Sequence, residues 1–216
     1  MKILVLGASG GCGQWVVKLA QQRGHAVTAV VRPNSSYVAP EGVSLLGEEI
    51  LSDGVLERIL PGQQAVISCL GMSLSKSGNP FFRLHSPPDL MSSAARRLCN
   101  AMPACGVQRI ISISSGGVAG SSAHTHWLLR LLFNLSNISI SHKDLATMEE
   151  IYVKSGLDWL AIRPVTLKDG GPTNTAKAMA FYGLSSKITK GEVARLMLDA
   201  AEQPKPFSSH TPMFAG

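Results

Sequence analysis

Residues 2–13 read KILVLGASGGCG: a short apolar run, Ile3 to Leu6, followed by four glycines within seven residues. An apolar run without polar alternation suits a strand covered on both faces. Behind the glycines, 14–23 (QWVVKLAQQR) places Trp15, Val16, Leu19 and Ala20 on one helical stripe, and 26–31 (AVTAVV) predicts a second strand. Gly24 stands where that helix must stop, because glycine takes a positive φ at little cost. Strand, glycine loop, helix and strand make a βαβ unit, and in that setting the glycines carry a chemical meaning. Gly7 permits a tight turn, Gly10 lets backbone approach a pyrophosphate, and Gly13 brings helix close to strand. The helix start offers free N–H groups and partial positive charge, so Ser9, Gly11 and Cys12 join the loop as cofactor contacts. The plainer alternative is a glycine-rich turn with no ligand.

The remainder repeats the alternation. Strands are expected at 43–46, 65–70, 109–114 and 159–162, and helices at 53–60, 92–105, 142–154 and 192–201. Alternating strands and helices imply parallel pairing with right-handed crossovers, hence an α/β fold with a doubly wound parallel sheet of the Rossmann type. With no repeat, linker or low-complexity stretch, residues 1–216 are expected to form one domain with a small C-terminal substrate-side region. Thr189 and Glu192 fit a capping box, in which threonine caps backbone N–H groups while the glutamate reaches back. The helix behind them puts Val193, Leu196, Met197 and Ala200 on one face, which suits packing.

Composition narrows the function class. At 45% hydrophobic and 16% charged, the chain is too apolar and too weakly charged for disorder. No apolar run approaches the roughly 20 residues of a membrane-spanning helix, so no membrane partner is expected. The N-terminus turns into glycines too early for a signal peptide. Cys12, Cys69, Cys99 and Cys105 form no CxxC pair or zinc spacing, which favours a reduced, cytoplasmic protein without metal. The net charge of +6 invites a nucleic-acid reading, but the basic residues are scattered and only 6% of residues are aromatic. A phosphate-bearing cofactor and a small-molecule substrate are the favoured partners; monomer and homodimer stay open.

The end of the second strand bears on which dinucleotide binds. An acidic residue there would hold a ribose 2′-hydroxyl, whereas arginine accommodates a 2′-phosphate. Here Val31-Arg32-Pro33 is followed by no acid before Glu41. The planar, permanently charged fork of Arg32 suits phosphate, with Ser9 of the glycine loop and Ser35 or Ser36 as added hydroxyls, so NADP(H) is preferred over NAD(H). Alternatively Arg32 is an exposed strand-end charge.

The glycine spacing is GxxGxxG rather than GxGxxG, and it resembles that of the extended and atypical short-chain dehydrogenase/reductases. AVISCLG at 65–71, GVQRIISISS at 106–115, SGLDWLAIRP at 155–164 and ITKGEVARLML at 188–198 continue the resemblance in order. Within that superfamily the chain is most similar to the small NmrA-like NAD(P)H-binding group that includes biliverdin-IXβ reductase/flavin reductase. The resemblance implies further cofactor contacts. Glu49 and Ile50 fall at the adenine edge, and Cys69, Leu70 and Gly71 beside the passing cofactor. Ser112 and Ser114 fall near the nicotinamide ribose, and Pro164, Val165 and Thr166 along the nicotinamide. For Cys69 a small buried apolar role is an equal alternative.

Carbonyl-reducing members of the superfamily use Tyr-x-x-x-Lys, the tyrosine giving the proton and the lysine lowering its pKa. By alignment those positions fall near Ser141 and Leu145, which cannot do that work, and Tyr37, Tyr152 and Tyr182 lack a lysine four residues on. What is left is hydride delivery to an acceptor needing little enzymic proton transfer, such as a flavin, quinone or tetrapyrrole. Ser115 is the candidate polar contact to substrate, against a role in satisfying turn backbone. His124, His126 and His142 have the intrinsic pKa of an acid catalyst, although the first two suit a solvated loop better. Three long irregular segments, 72–89, 116–141 and 166–187, are expected to form the substrate side, with Phe81, Phe82, Met179, Phe181 and Tyr182 among their apolar residues. The stretch 127–133 is read as core or interface before lid. The reading is an NADPH-dependent reductase of a small, apolar, conjugated acceptor; the alternative is a non-catalytic NADP(H)-sensing regulator of the NmrA-like kind.

Overall fold

The computed structural model describes residues 1–72 and 85–216. The segment 72–89 overlaps the interval 73–84, so Phe81 and Phe82 lie outside the described residues. In chain order the first half holds β1 (Lys2–Leu6), α1 (Gly11–Gln22), β2 (Ala26–Val31), β3 (Ser44–Gly47), α2 (Val55–Ile59), β4 (Ala65–Ser68) and α3 (Leu90–Ala104). The second half holds β5 (Arg109–Ile113), α4 (Trp127–Leu135), α5 (Ile138–Val153), β6 (Asp158–Pro164), β7 (Thr166–Lys168), β8 (Lys177–Ala178), β9 (Lys187–Thr189), α6 (Lys190–Glu202) and β10 (Met213–Ala215).

The main sheet runs β3-β2-β1-β4-β5-β6-β10-β8, parallel throughout except for the antiparallel edge strand β8. Its central strands are apolar at nearly every position because both faces are covered. On one face Val16, Val17 and Ala20 of α1 meet Val193, Ala194, Met197 and Ala201 of α6. On the other, Leu98 and Met102 of α3 pack with Leu145, Met148 and Tyr152 of α5. This is the doubly wound Rossmann arrangement in a single domain. The chain leaves β1 toward β2 and β3, then crosses to β4 on β1's other side, so strand order reverses between β1 and β4. That reversal opens a crevice at the strands' C-terminal ends.

Several boundaries differ from expectation. Helix α1 begins at Gly11, not at 14, because the last glycines are already helical. The segment 116–141 is not irregular: a 3-10 turn (Ala119–His124) and α4 occupy most of it. Within 166–187, β7 pairs with β9 as a separate two-stranded ribbon, and β8 joins the sheet edge. The stretch 127–133 is only partly core, since Leu129 and Phe133 pack inward while Trp127, Leu128, Leu131 and Leu132 are exposed.

Candidate functional site

The glycine loop is tied to both neighbouring strands. Ala8 N–H donates to the Val30 carbonyl at 3.2 Å, and Gly10 N–H closes the turn onto Gly7 O at 3.0 Å. Gly7 adopts φ +72°, and a Cβ there would sit 2.8 Å from Cys69 O, so only glycine lets β1 pass the end of β4. A Cβ at Gly13 would strike Gly7 O, which forces glycine where helix meets loop. Gly10 is different: its Cβ direction meets only Gly7 O, 3.2 Å away, and Cys69 O, 4.0 Å away, leaving an accessible backbone. Gly10 is also the N-cap of α1 and offers no side-chain acceptor, and no acidic residue lies in the first turn. The N–H groups of Gly11, Cys12 and Gly13 therefore have no acceptor within the helix. Such an uncapped helix start at a sheet switch point fits a pyrophosphate.

One cation there escaped the sequence reading. The Lys190 side chain lies across the start of α1: a Cβ on Gly11 would be 2.7 Å from its Cδ and 3.1 Å from its Nζ. Its ammonium pairs with Asp169, at 2.5 Å. Burial pushes the Cys12 thiol up to about 11, with the Lys190 charge pulling the other way, so Cys12 is a neutral thiol. A signal for Lys190 existed in the sequence, since a lysine in the first turn of α6 opposes the helix dipole. Trp15 and Gly191 lock this corner: Trp15 packs on Gly171, and a Cβ at Gly191 would collide with the backbone of Gly171 and Pro172.

Arg32 is exposed at the end of β2, and its guanidinium makes no ion pair among the described residues. Glu49 is exposed, while Ile50 is buried beneath the crevice edge. Cys69 points its thiol at Met197 Sδ, 3.9 Å away, and burial raises its pKa well above normal, so its side chain belongs to the core. Leu70 is half-buried and Gly71 exposed.

At the far end of the crevice the serines divide. Ser112 Oγ pairs with Tyr152 OH at 2.8 Å inside the core. Ser114 Oγ donates to Glu149 at 2.7 Å, and Glu149 is held by Arg163 Nε at 3.0 Å in a buried network. Both hydroxyls thus have protein partners, a commitment that strand periodicity alone does not reveal. Ser115 is half-buried, with its hydroxyl on Gly116 O at 3.1 Å. Pro164 and Val165 are buried, and Thr166 is exposed with its Oγ1 2.8 Å from Tyr182 OH.

Tyr182, dismissed on sequence for lacking a lysine, closes over this end: a Cβ on Gly116 would be 2.9 Å from its ring. Phe133 and His142 flank Gly117, with ring centroids 5.0 Å apart edge to face. Burial lowers the His142 pKa to about 4, so its imidazole is neutral near pH 7. His126 caps α4, its Nδ1 accepting from Leu128 N–H at 3.2 Å, and His124 is exposed. The dyad positions are filled by half-buried Ser141 and core Leu145. Among the described residues no group of three or more His, Cys, Asp or Glu could hold a metal ion.

A nucleotide-binding α/β domain is what this crevice and its topology define. The profile of the NAD(P)H-binding family matches residues 7–204, and the chain belongs to that family. An uncharacterized chloroplastic protein of Arabidopsis thaliana is 27% identical over 183 residues, 80% of this chain and 61% of the plant protein. The chain therefore spans about three fifths of that relative's length. Among solved structures, the anaerobilin reductase ChuY of Escherichia coli O157:H7 superposes with a TM-score of 0.77 at 21% identity, covering 100% of this chain and 97% of that one. A short-chain dehydrogenase/reductase of Veillonella parvula, solved in complex with NADP, gives 0.77 at 15% identity, covering 100% and 94%. Both are similar in fold.

Proposed function

We propose that the protein is an NADPH-dependent reductase of a small, apolar, conjugated acceptor such as a flavin, quinone or tetrapyrrole. The observation that carries this reading is the pair of cations on the crevice: Arg32, exposed at the end of β2 and without an ion pair among the described residues, and Lys190, lying over the uncapped start of α1. Bound NADPH supplies a hydride; the chain binds, orients and excludes water. In this reading the N–H groups of Gly11, Cys12 and Gly13 and the Lys190 ammonium hold the pyrophosphate. Arg32 holds the 2′-phosphate, with Ser9 beside the phosphates and Glu49 and Ile50 at the adenine edge. The backbone of Cys69, Leu70 and Gly71 borders the cofactor at the switch point. Near the nicotinamide, Ser112 and Ser114 act through their backbone, and Pro164, Val165 and Thr166 line its edge.

In this reading the substrate side is formed by 116–141 and 166–187, where half-buried Phe133 and neutral His142, backed by the buried ring of Tyr182, offer an aromatic edge to a flat molecule. Ser115 is the polar substrate contact. No tyrosine–lysine pair is needed when the acceptor takes hydride without concerted proton donation. One observation favours the non-catalytic sensor instead: the hydroxyls of Ser112 and Ser114 are locked into internal bonds and leave few proton donors free.

Titration with NADPH and NADH, followed by turnover with flavin, quinone and dye acceptors, separates the readings. The reductase binds NADPH more tightly and oxidises it faster with an acceptor present. Tight binding without turnover supports the sensor. Absence of dinucleotide binding removes both.

A further inference from the structure

Helix α4, WLLRLLFNL, presents a hydrophobic face that nothing among the described residues covers. Leu129 and Phe133 turn inward to the core. At about 100° per residue, Trp127, Leu131, Leu135, Leu128 and Leu132 fill a continuous arc of about 140° on the outside. Their exposures run from 42% for Leu132 to 69% for Leu135, so the whole arc faces solvent. Phe181 and Leu184 extend it, both more than half exposed. That second segment is fixed beside the helix start, because His126 N–H donates to Tyr182 O at 2.9 Å and Tyr182 N–H to His124 O at 2.8 Å. A contiguous exposed patch of this kind marks an interaction surface.

Charge identifies the partner. The two segments that build the patch, 116–143 and 170–191, contain five of the chain's 20 lysines and arginines and none of its 14 acidic residues. Lys190 is neutralised by Asp169, so the surplus of these segments is carried by Arg130, Lys143, Lys177 and Lys187. The carboxylates at their borders are engaged: Asp144 accepts the Met91 and Ser92 N–H groups, Asp169 pairs with Lys190, and buried Glu192 pairs with Arg195. Arg130 and Asn134 lie next to the apolar arc on the helix, where a long cationic side chain can reach back to a polar boundary.

We infer that α4 and the 181–184 turn dock onto the surface of an anionic lipid bilayer, the helix lying in the interface plane with its leucines and Trp127 inserted. This goes beyond the reductase reading and does not depend on it. A surface-lying helix needs no spanning segment, so the expectation that no membrane partner exists is revised on this point alone. A second copy is a poor occupant, because a two-fold contact sets each patch against itself and brings like charges together. A convex ridge with tryptophan at one end also suits a lipid interface better than a protein groove.

The test is flotation of the whole protein with vesicles of phosphatidylcholine alone and of phosphatidylcholine mixed with phosphatidylglycerol. Binding is expected at least about tenfold tighter on the anionic vesicles and weakened by 0.5 M salt, given roughly fivefold per basic residue near such a surface. The paired substitution W127S/L135S should lower vesicle binding about tenfold or more, with the thermal midpoint as the check on folding. K177Q/K187Q should reduce the preference for anionic lipid while leaving the apolar arc intact. Three outcomes would overturn the inference: no binding of wild type, binding unaltered by both variants, or a dimer in sedimentation that ignores vesicles and dissociates in W127S/L135S.

Discussion

Arg32 at the end of β2 and Lys190 over the start of α1 put positive charge on one crevice at different points, and the two should act differently on dinucleotide choice. A charge-assisted hydrogen bond contributes about 1.5–3 kcal/mol, or roughly ten- to a hundredfold in affinity. Arg32 faces solvent and makes no ion pair among the described residues, so in the proposed reading its guanidinium takes the 2′-phosphate that only NADPH carries. Arg32→Ala should weaken NADPH by that factor and NADH by less than about twofold. Lys190 lies over Gly11, where the proposed pyrophosphate site would be common to both dinucleotides. Lys190→Gln should weaken both by a similar factor, about tenfold, since Asp169 already competes for the ammonium. Calorimetric titration of each variant with each dinucleotide decides this. Equal losses for NADPH and NADH in Arg32→Ala would remove the 2′-phosphate role, and unaltered binding in Lys190→Gln would remove the pyrophosphate role.

At the scale of elements, α6 shows what a local motif conceals. Thr189 caps as the motif predicts, its Oγ1 accepting from Glu192 N–H at 3.1 Å. Glu192 does not reach back. Its carboxylate instead accepts the N–H groups of Thr173 and Asn174 at 2.9 Å and of Ala176 at 3.0 Å, and pairs with Arg195. It thereby holds Asn174 in a left-handed conformation (φ 57°) within the loop between β7 and β8. Burial alone would raise the Glu192 pKa, but Arg195 and these three N–H groups lower it from 4.5 to about 2. Because the folded value lies below the unfolded one, the stabilisation is complete above about pH 4.5 and fades as pH falls toward 2. Glu192→Gln gives three backbone N–H groups a weaker, uncharged acceptor and leaves Arg195 paired with Asp199 alone, and should cost about 2 kcal/mol, or roughly 4–8 °C in thermal midpoint. Its stability should also vary less than wild type between these pH values. Parallel melting curves from pH 2 to 7 check both, and a variant as stable as wild type would dismiss Glu192 as the organiser of that loop. The same contrast explains what the sequence could convey. The βαβ core was legible because ILVL, AVTAVV and the stripe on α1 are local periodicities. The ribbon β7–β9 and strands β8 and β10 are two or three residues long and exist only through distant partners, so no local pattern announces them. Gly7, Gly10 and Gly13 announced the crevice, whereas Lys190 and Tyr182 reach it through tertiary packing.

For the whole molecule, the crevice is where the two halves of the sheet meet. Loops after β1 and β2 border one side, with the start of α6 lying over the loop after β1, while those after β4, β5 and β6 border the other. A ligand lying across the switch point contacts elements that are brought together only by the folded chain, so it binds the native state alone. At a hundred times its dissociation constant such a ligand adds about 2.7 kcal/mol. For a chain of 216 residues that corresponds to a rise of about 5–10 °C in thermal midpoint. If Arg32 contributes tenfold to the preference, NADH at the same concentration stands at ten times its own constant and adds about 1.4 kcal/mol, or about 3–6 °C. Arg32→Ala should collapse the two curves onto each other without moving the unliganded midpoint, because its guanidinium makes no ion pair among the described residues. A scan of wild type and variant with each dinucleotide reads the crevice and its selectivity together. Identical shifts for NADPH and NADH in wild type would reject the phosphate preference while keeping dinucleotide binding, whereas no shift with either would remove the dinucleotide reading altogether.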